Sequence, residues 1–203
     1  MSSMRTHSLA QILRSIAGTL LLLTNLNVAW AAADLPRNSL YQVNVPLTDQ
    51  DGKRSNWQEA VPGPRIVSMF YTRCDYVCPM LFEAIRSLES NLPASNLQQL
   101  RVGLVTLDPA RDDVSALKTT AAQRGGDPAR WRLYRTSDAD VRKLAGMLGI
   151  QYRRLSDGEF NHSTVMILMD SNGVELARTQ NIAKADGAFL KAVQKATQDA
   201  VPP

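Results

Sequence analysis

Three apolar runs of strand length, at residues 66–71, 102–107 and 164–169, constrain this chain more than any other feature. Continuous runs without polar alternation suit strands covered on both faces, and such strands need helices on either side of a shared sheet. The intervening segments supply them. Leu81, Ile85 and Leu88 recur at helical spacing, and Pro93 closes that helix. Residues 112–124 predict a second helix, stopped by Gly125-Gly126. Ser137 caps a third, with Val141, Leu144, Ala145 and Leu148 as its buried stripe and Gly149 at the left-handed terminating position. A last helix over residues 183–198 carries Phe189, Leu190 and Val193 on one side.

Shorter strands complete the pattern. Residues 43–47 alternate and pass through Asp49-Gln50-Asp51-Gly52 into residues 54–57, a predicted hairpin closed by Pro62-Gly63-Pro64. Trp131 to Tyr134 predicts a strand with Trp131 and Leu133 inward and its arginines in solvent. Asp170-Ser171-Asn172-Gly173 turns the last apolar strand into residues 174–178. The order β-β-β-α-β-α-β-α-β-β-α predicts an α/β fold: one domain, helices around a central mixed sheet, and no internal repeat.

Residues 1–33 read as an address. Arg5 and Arg14, with no acid, precede the apolar run at residues 16–23, and Ala31-Ala32-Ala33 places small residues before Asp34. That order is a secretory signal peptide's. A spanning helix needs about 20 apolar residues, and Thr24, Asn25 and Asn27 interrupt this one. Cleavage after Ala31 fits nearly as well as after Ala33, and an uncleaved anchor is the alternative. The expectation is a periplasmic domain over residues 34–203, associated with the membrane only through an uncleaved leader.

Two of the 23 basic residues and none of the 19 acidic ones lie in residues 1–33, so the remainder carries a net charge of only +2. That balance argues against nucleic acid as a partner. No Gly-x-Ser-x-Gly, His-Glu-x-x-His or phosphate-binding glycine loop is present.

Beyond the leader the chain holds Cys74, Cys78 and a single histidine, His162. The segment Cys74-Asp75-Tyr76-Val77-Cys78-Pro79 falls where a buried strand gives way to a helix. Cysteines four apart lie on one face of a helical turn. Helix-start N–H groups and neighbouring Arg73 favour thiolate over thiol, and Pro79 has no N–H to lose in a first turn. In an oxidising compartment the pair can be a structural disulfide, a redox dithiol or two metal ligands. Closing so short a loop contributes only about 2 kcal/mol, little for a domain of this size. Two soft thiolates and one borderline imidazole suit Cu(I) and can accommodate Cu(II). A Cys74–His162 hydrolase is disfavoured, because the second thiol would trap the nucleophile as a disulfide. Met69, Met166 and Met169 belong to strands and read as core; Met80 stands nearer the cysteines. Asp108, Arg111 and Asp112 read as turn and capping residues, with client docking as their other use.

Tyr71-Thr72-Arg73-Cys74-Asp75-Tyr76-Val77-Cys78-Pro79 resembles the Cys-x3-Cys-Pro signature of the Sco/SenC proteins, thioredoxin-like copper proteins of cytochrome c oxidase assembly. Residues 105–112, residues 148–152 and His162 before an apolar strand extend the resemblance over roughly residues 40–180. It implies a thioredoxin fold with an added N-terminal hairpin, and Cys74, Cys78 and His162 as ligands of one copper. It further implies a metallochaperone that delivers copper to the binuclear centre of an oxidase subunit. The alternative is a thiol-disulfide oxidoreductase whose Cys74/Cys78 dithiol keeps that client's cysteines reduced. Asn161 departs from the resemblance, since many relatives carry Asp before the histidine, and the hydrogen bond behind the imidazole then differs.

Overall fold

The computed structural model describes residues 35–58, 63–124 and 126–200, and the leader expected over residues 1–33 lies outside them. The N-terminal hairpin forms as the turn residues require. Strand β1 (Pro46–Asp49) pairs antiparallel with β2 (Arg54–Asn56), and Gly52 sits at φ +80° in the turn, with Asp49 accepting from the backbone N–H of Asp51 and Lys53 at 2.9 Å. Strand β3 (Arg65–Phe70) is buried at every position, as its unbroken apolar run predicts.

Helix α1 (Val77–Ser90) follows the cysteine segment and lays Phe82 against the sheet, edge-on to Phe70 and stacked on Trp131. Pro93 does more than end a helix: it opens a short one, α2 (Ala94–Gln99). Proline suits a helix start because its fixed φ is already helical and its missing N–H has no partner there. Asn96 ties α2 to the C-terminal helix α5 (Gly187–Asp199), donating to the Gln194 carbonyl at 3.0 Å and to the Thr197 hydroxyl at 2.9 Å.

Strand β4 (Arg101–Thr106), helix α3 (Val114–Arg124), strand β5 (Trp131–Arg135) and helix α4 (Asp138–Leu148) appear in the expected order. Asp113, not Asp112, caps α3, accepting from Ala116 N–H at 2.8 Å. Ser137 caps α4 through Asp140 N–H, and Gly149 closes it at φ +67°. The expected stripe of Val141, Leu144, Ala145 and Leu148 is buried. In β5 Trp131 and Leu133 face inward as expected, but the arginines do not stand in solvent. Tyr134 is buried along with Trp131 and Leu133, because β5 lies between β1 and β4 rather than at an edge. The arginines are half-buried and engaged: Arg132 lies 3.6 Å from Asp49, and Arg135 donates to the Pro109 carbonyl at 2.8 Å.

A small hairpin was not anticipated. Strands β6 (Tyr152–Arg154) and β7 (Phe160–His162) pair only with each other, around a turn at Asp157-Gly158. Strand β8 (Met166–Met169) then enters the main sheet and returns through β9 (Glu175–Thr179), and α5 begins after the Asp186 cap, later than its apolar spacing suggests. The seven-stranded sheet runs β2-β1-β5-β4-β3-β8-β9, parallel across β5-β4-β3 and antiparallel elsewhere. The mixed α/β class is as predicted. Among the described residues no helix is long and apolar enough to cross a membrane.

Gly173 shows where this packing has no slack. It turns at φ +75°, and a Cβ there would stand 2.6 Å from the Tyr41 ring. Gly173→Ala is expected to cost more than about 2 kcal/mol in urea unfolding, through strain and overpacking together. Exposed Gly146 in α4 meets nothing within 4 Å, so Gly146→Ala should stabilise by about 0.5–1 kcal/mol.

Candidate metal centre

Cys74, Cys78 and His162 converge although 84 residues separate the second from the third. Their ligand-capable atoms all lie within 4.8 Å of one another. Strand direction explains it. The cysteine segment leaves the C-terminal end of β3, and β8 is antiparallel to β3, so the chain entering β8 arrives at that same end. His162 stands on that entry, at the end of β7. The sequence reading placed it only as preceding an apolar strand; Asp157-Gly158 between Tyr152 and Phe160 was the signal available for the hairpin.

The cysteines do not share one helical face. Cys74 precedes the helix, which begins at Val77, and Pro79 stands in its first turn as expected. Cys78 N–H donates to Cys74 Sγ at 3.2 Å, so the sulfur takes one of the helix-start N–H groups that would otherwise lack an acceptor. Both cysteines are buried and unbridged. The hydrogen bond from the Cys78 thiol, helped by His162 and by the backbone N–H groups of Cys78 and Tyr76, lowers Cys74 far below an ordinary thiol, to about 4. The same hydrogen bond, together with burial, pushes Cys78 up. In the reduced pair Cys74 is the thiolate and Cys78 keeps the proton. Arg73 is exposed and is not among the principal causes.

His162 is half-buried. Its Nδ1 lies 3.2 Å from the Ser163 carbonyl, and its Nε2 is buried with no hydrogen-bond partner. With the proton on Nδ1 donated to Ser163, Nε2 keeps a free lone pair. Asn161 is exposed on the other face of β7, and it is Ser163 that meets the imidazole. Tyr71 packs edge-on against both Phe160 (5.3 Å) and His162 (5.8 Å), while Phe160 also meets Tyr152 at 6.1 Å. Burial and the Glu159 carboxylate raise the Tyr71 phenol above its ordinary range.

Residues outside the sequence-derived ligand set hold the site. Asp112 is fully buried, and its carboxylate accepts from Thr72 N–H at 3.0 Å, from the Thr72 hydroxyl at 2.5 Å and from the Thr106 hydroxyl. It anchors the cysteine segment to the end of β4. Asp108 is also buried and pairs with Arg111. Two buried carboxylates cannot present a docking surface, and the docking use considered for them does not fit. Met80 is half-buried near the start of α1, and Met69, Met166 and Met169 are core.

This arrangement can exchange thiols or bind a soft ion. Two sulfurs and an unpartnered imidazole nitrogen meet in one small buried space, which fits a thiophilic metal of low coordination number.

The profile of the SCO1/SenC family matches residues 35–198. A curated protein of Stutzerimonas stutzeri named "Putative copper-binding protein" is 33% identical over 75 residues, spanning 37% of this chain and 37% of that protein. The match therefore covers little more than a third of that relative's length. Among solved structures, copper-bound ScoI of Arabidopsis thaliana superposes with a TM-score of 0.63 at 21% identity, covering 77% of this chain and 98% of that one. BsSco, described as having a disulfide switch and as a member of the Sco family of cytochrome c oxidase assembly proteins, gives 0.66 at 18% identity, covering 77% and 92%. At these identities the structural likeness establishes the fold.

The thiol pair sets a pH dependence. The lowered Cys74 contributes stability that is complete above the free-thiol value of ~8.5 and is lost as pH falls to about 4. The raised Cys78 opposes folding above ~8.5, where the unfolded thiol ionises and the folded one does not. Thiolate absorbance at 240 nm should show one thiolate per reduced, metal-free chain at pH 7, and Cys78→Ala should shift its titration upward.

Proposed function

The chain belongs to the SCO1/SenC family, and on that premise we propose that it is a copper-binding assembly factor whose ligands are Cys74, Cys78 and His162. One observation carries the proposal: His162 Nε2 is buried without a partner beside two sulfurs. A buried polar nitrogen is costly unless something takes its lone pair, and a copper ion is what this donor set suits.

Copper is cargo in this reading. Cys74 enters as thiolate, Cys78 gives up its proton on loading, and His162 is held in the ligating tautomer by Ser163. The family context and the copper-bound relative support copper as the ion. That BsSco belongs to a family of cytochrome c oxidase assembly proteins supports an oxidase as client, and its binuclear copper centre is the delivery site in this reading. Delivery takes place in the periplasm, to which the leader directs the chain.

The test uses reduced, leader-free protein titrated with Cu(I) against a competing chelator, beside Cys74→Ala, Cys78→Ala and His162→Ala. One copper per chain is expected, with each variant weakened roughly a hundredfold or more, since even losing a partner behind a ligand costs 10–100-fold. Equal retention in all four proteins overturns the ligand assignment and leaves a redox dithiol. Because Cys78 releases a proton on loading, apparent affinity should rise by roughly a factor of ten per pH unit between about pH 6 and 8.

A further inference from the structure

The ligands come from two separate pieces of chain, and one turn after β4 holds both. Asp112 grips the cysteine segment through Thr72, as described above. Arg111, the residue before it, reaches the other piece: Nε donates to the Asp108 carboxylate and Nη2 donates to the Gly158 carbonyl at the tip of the β6–β7 hairpin. Asp108 is itself fixed, with its N–H donating to the Thr106 hydroxyl at 3.0 Å.

The hairpin needs such a hold. It pairs with no strand of the main sheet. At its base Ser163 N–H donates to the Gln151 carbonyl at 2.9 Å, and Gln151 N–H donates to the Ser163 hydroxyl at 3.0 Å. At its tip, Gly158 adopts φ +89°, and a Cβ there would stand 3.2 Å from Arg111 Nη1. The missing side chain lets the guanidinium come close to the backbone. A planar fork can serve a carboxylate and a carbonyl at once, which a lysine ammonium on its flexible stem reproduces poorly.

We propose that Arg111 is a positioning residue of the metal centre: by clasping the hairpin tip to Asp108 it fixes where His162 stands relative to Cys74 and Cys78, and so sets how long the ion is held. The proposal rests on the copper-binding reading above. Arg111 touches no ligand-capable atom of the three and acts through the hairpin.

The experiment compares wild-type reduced protein with Arg111→Ala, Arg111→Lys, His162→Ala and the Arg111→Ala/His162→Ala double variant. Cu(I) dissociation into excess chelator is followed, and amide hydrogen exchange is measured on the metal-free proteins. Arg111→Ala should speed dissociation about 10–100-fold, the range for partners that orient ligands, with Arg111→Lys between it and wild type. In the His162→Ala background it should add nothing, because the ligand it positions is gone. Metal-free Arg111→Ala should exchange faster across residues 152–163 while β3 and β4 amides stay protected. Dissociation at the wild-type rate overturns the inference, as does an undiminished effect in the double variant, which would mean general loosening. If His162→Ala itself releases copper like wild type, the ligand assignment fails and the positioning role falls with it. Arg111→Gln replaces the alanine variant should that one not fold.

Discussion

The antiparallel pairing of β8 with β3 is the constraint on which the rest of this molecule depends. A parallel β8 would begin at the opposite end of the sheet and carry His162 away from the cysteines. As built, Val67 pairs with Ile167 and Arg65 with Met169, so the chain preceding β8 emerges above the C-terminal end of β3. The Ser68 hydroxyl donates to the Val165 carbonyl at 2.6 Å, reinforcing that entry from within the core. The small hairpin, its aromatic contacts with Tyr71 and the three-donor group all follow from this one choice of strand direction.

Within the site, polarisation of the thiol pair and accommodation of an ion are linked. The hydrogen bond from the Cys78 thiol lets one proton serve two cysteines, so a buried thiolate exists without a buried cation beside it. His162 Nε2 is buried beside this sulfur pair, and the two buried carboxylates behind the site are spent elsewhere. Asp112 satisfies the cysteine segment's hydroxyl and amide, and Asp108 satisfies Arg111. Rigidity comes from the turn after β4, softness from the sulfurs.

Much of the fold was legible because its signals are local. The unbroken apolar runs at β3 and β4, the Ser137 cap and Gly149 stop of α4, and the Gly52 and Gly173 turns each encode their element within a few residues. The misreadings arose where a neighbour decides. The β5 arginines were misplaced because strand order, not alternation, determines what covers them. The β6–β7 hairpin escaped because its strands are only three residues each and their burial comes from Tyr71, far away in the chain. Asp112 looked like a helix cap; its partners Thr72 and Thr106 are brought to it only by the pairing of Phe70 with Thr106 across β3 and β4.

The sequence by itself determined the α/β class, the helix-start setting of the cysteines and, through its motif, the identity of the three candidate ligands. The first two rest on spacing and apolar continuity, which are properties of short segments; the ligand set rests on the family resemblance that the motif carries. Only the tertiary structure decided that the three donors meet within 4.8 Å, that Cys74 rather than Cys78 carries the charge, and that Arg111 and Asp112 hold the two pieces together. Distances between chain segments, and the hydrogen bonds that shift a proton from one sulfur to the other, arise when strands pair and a helix start is aimed at them. No single segment contains that information.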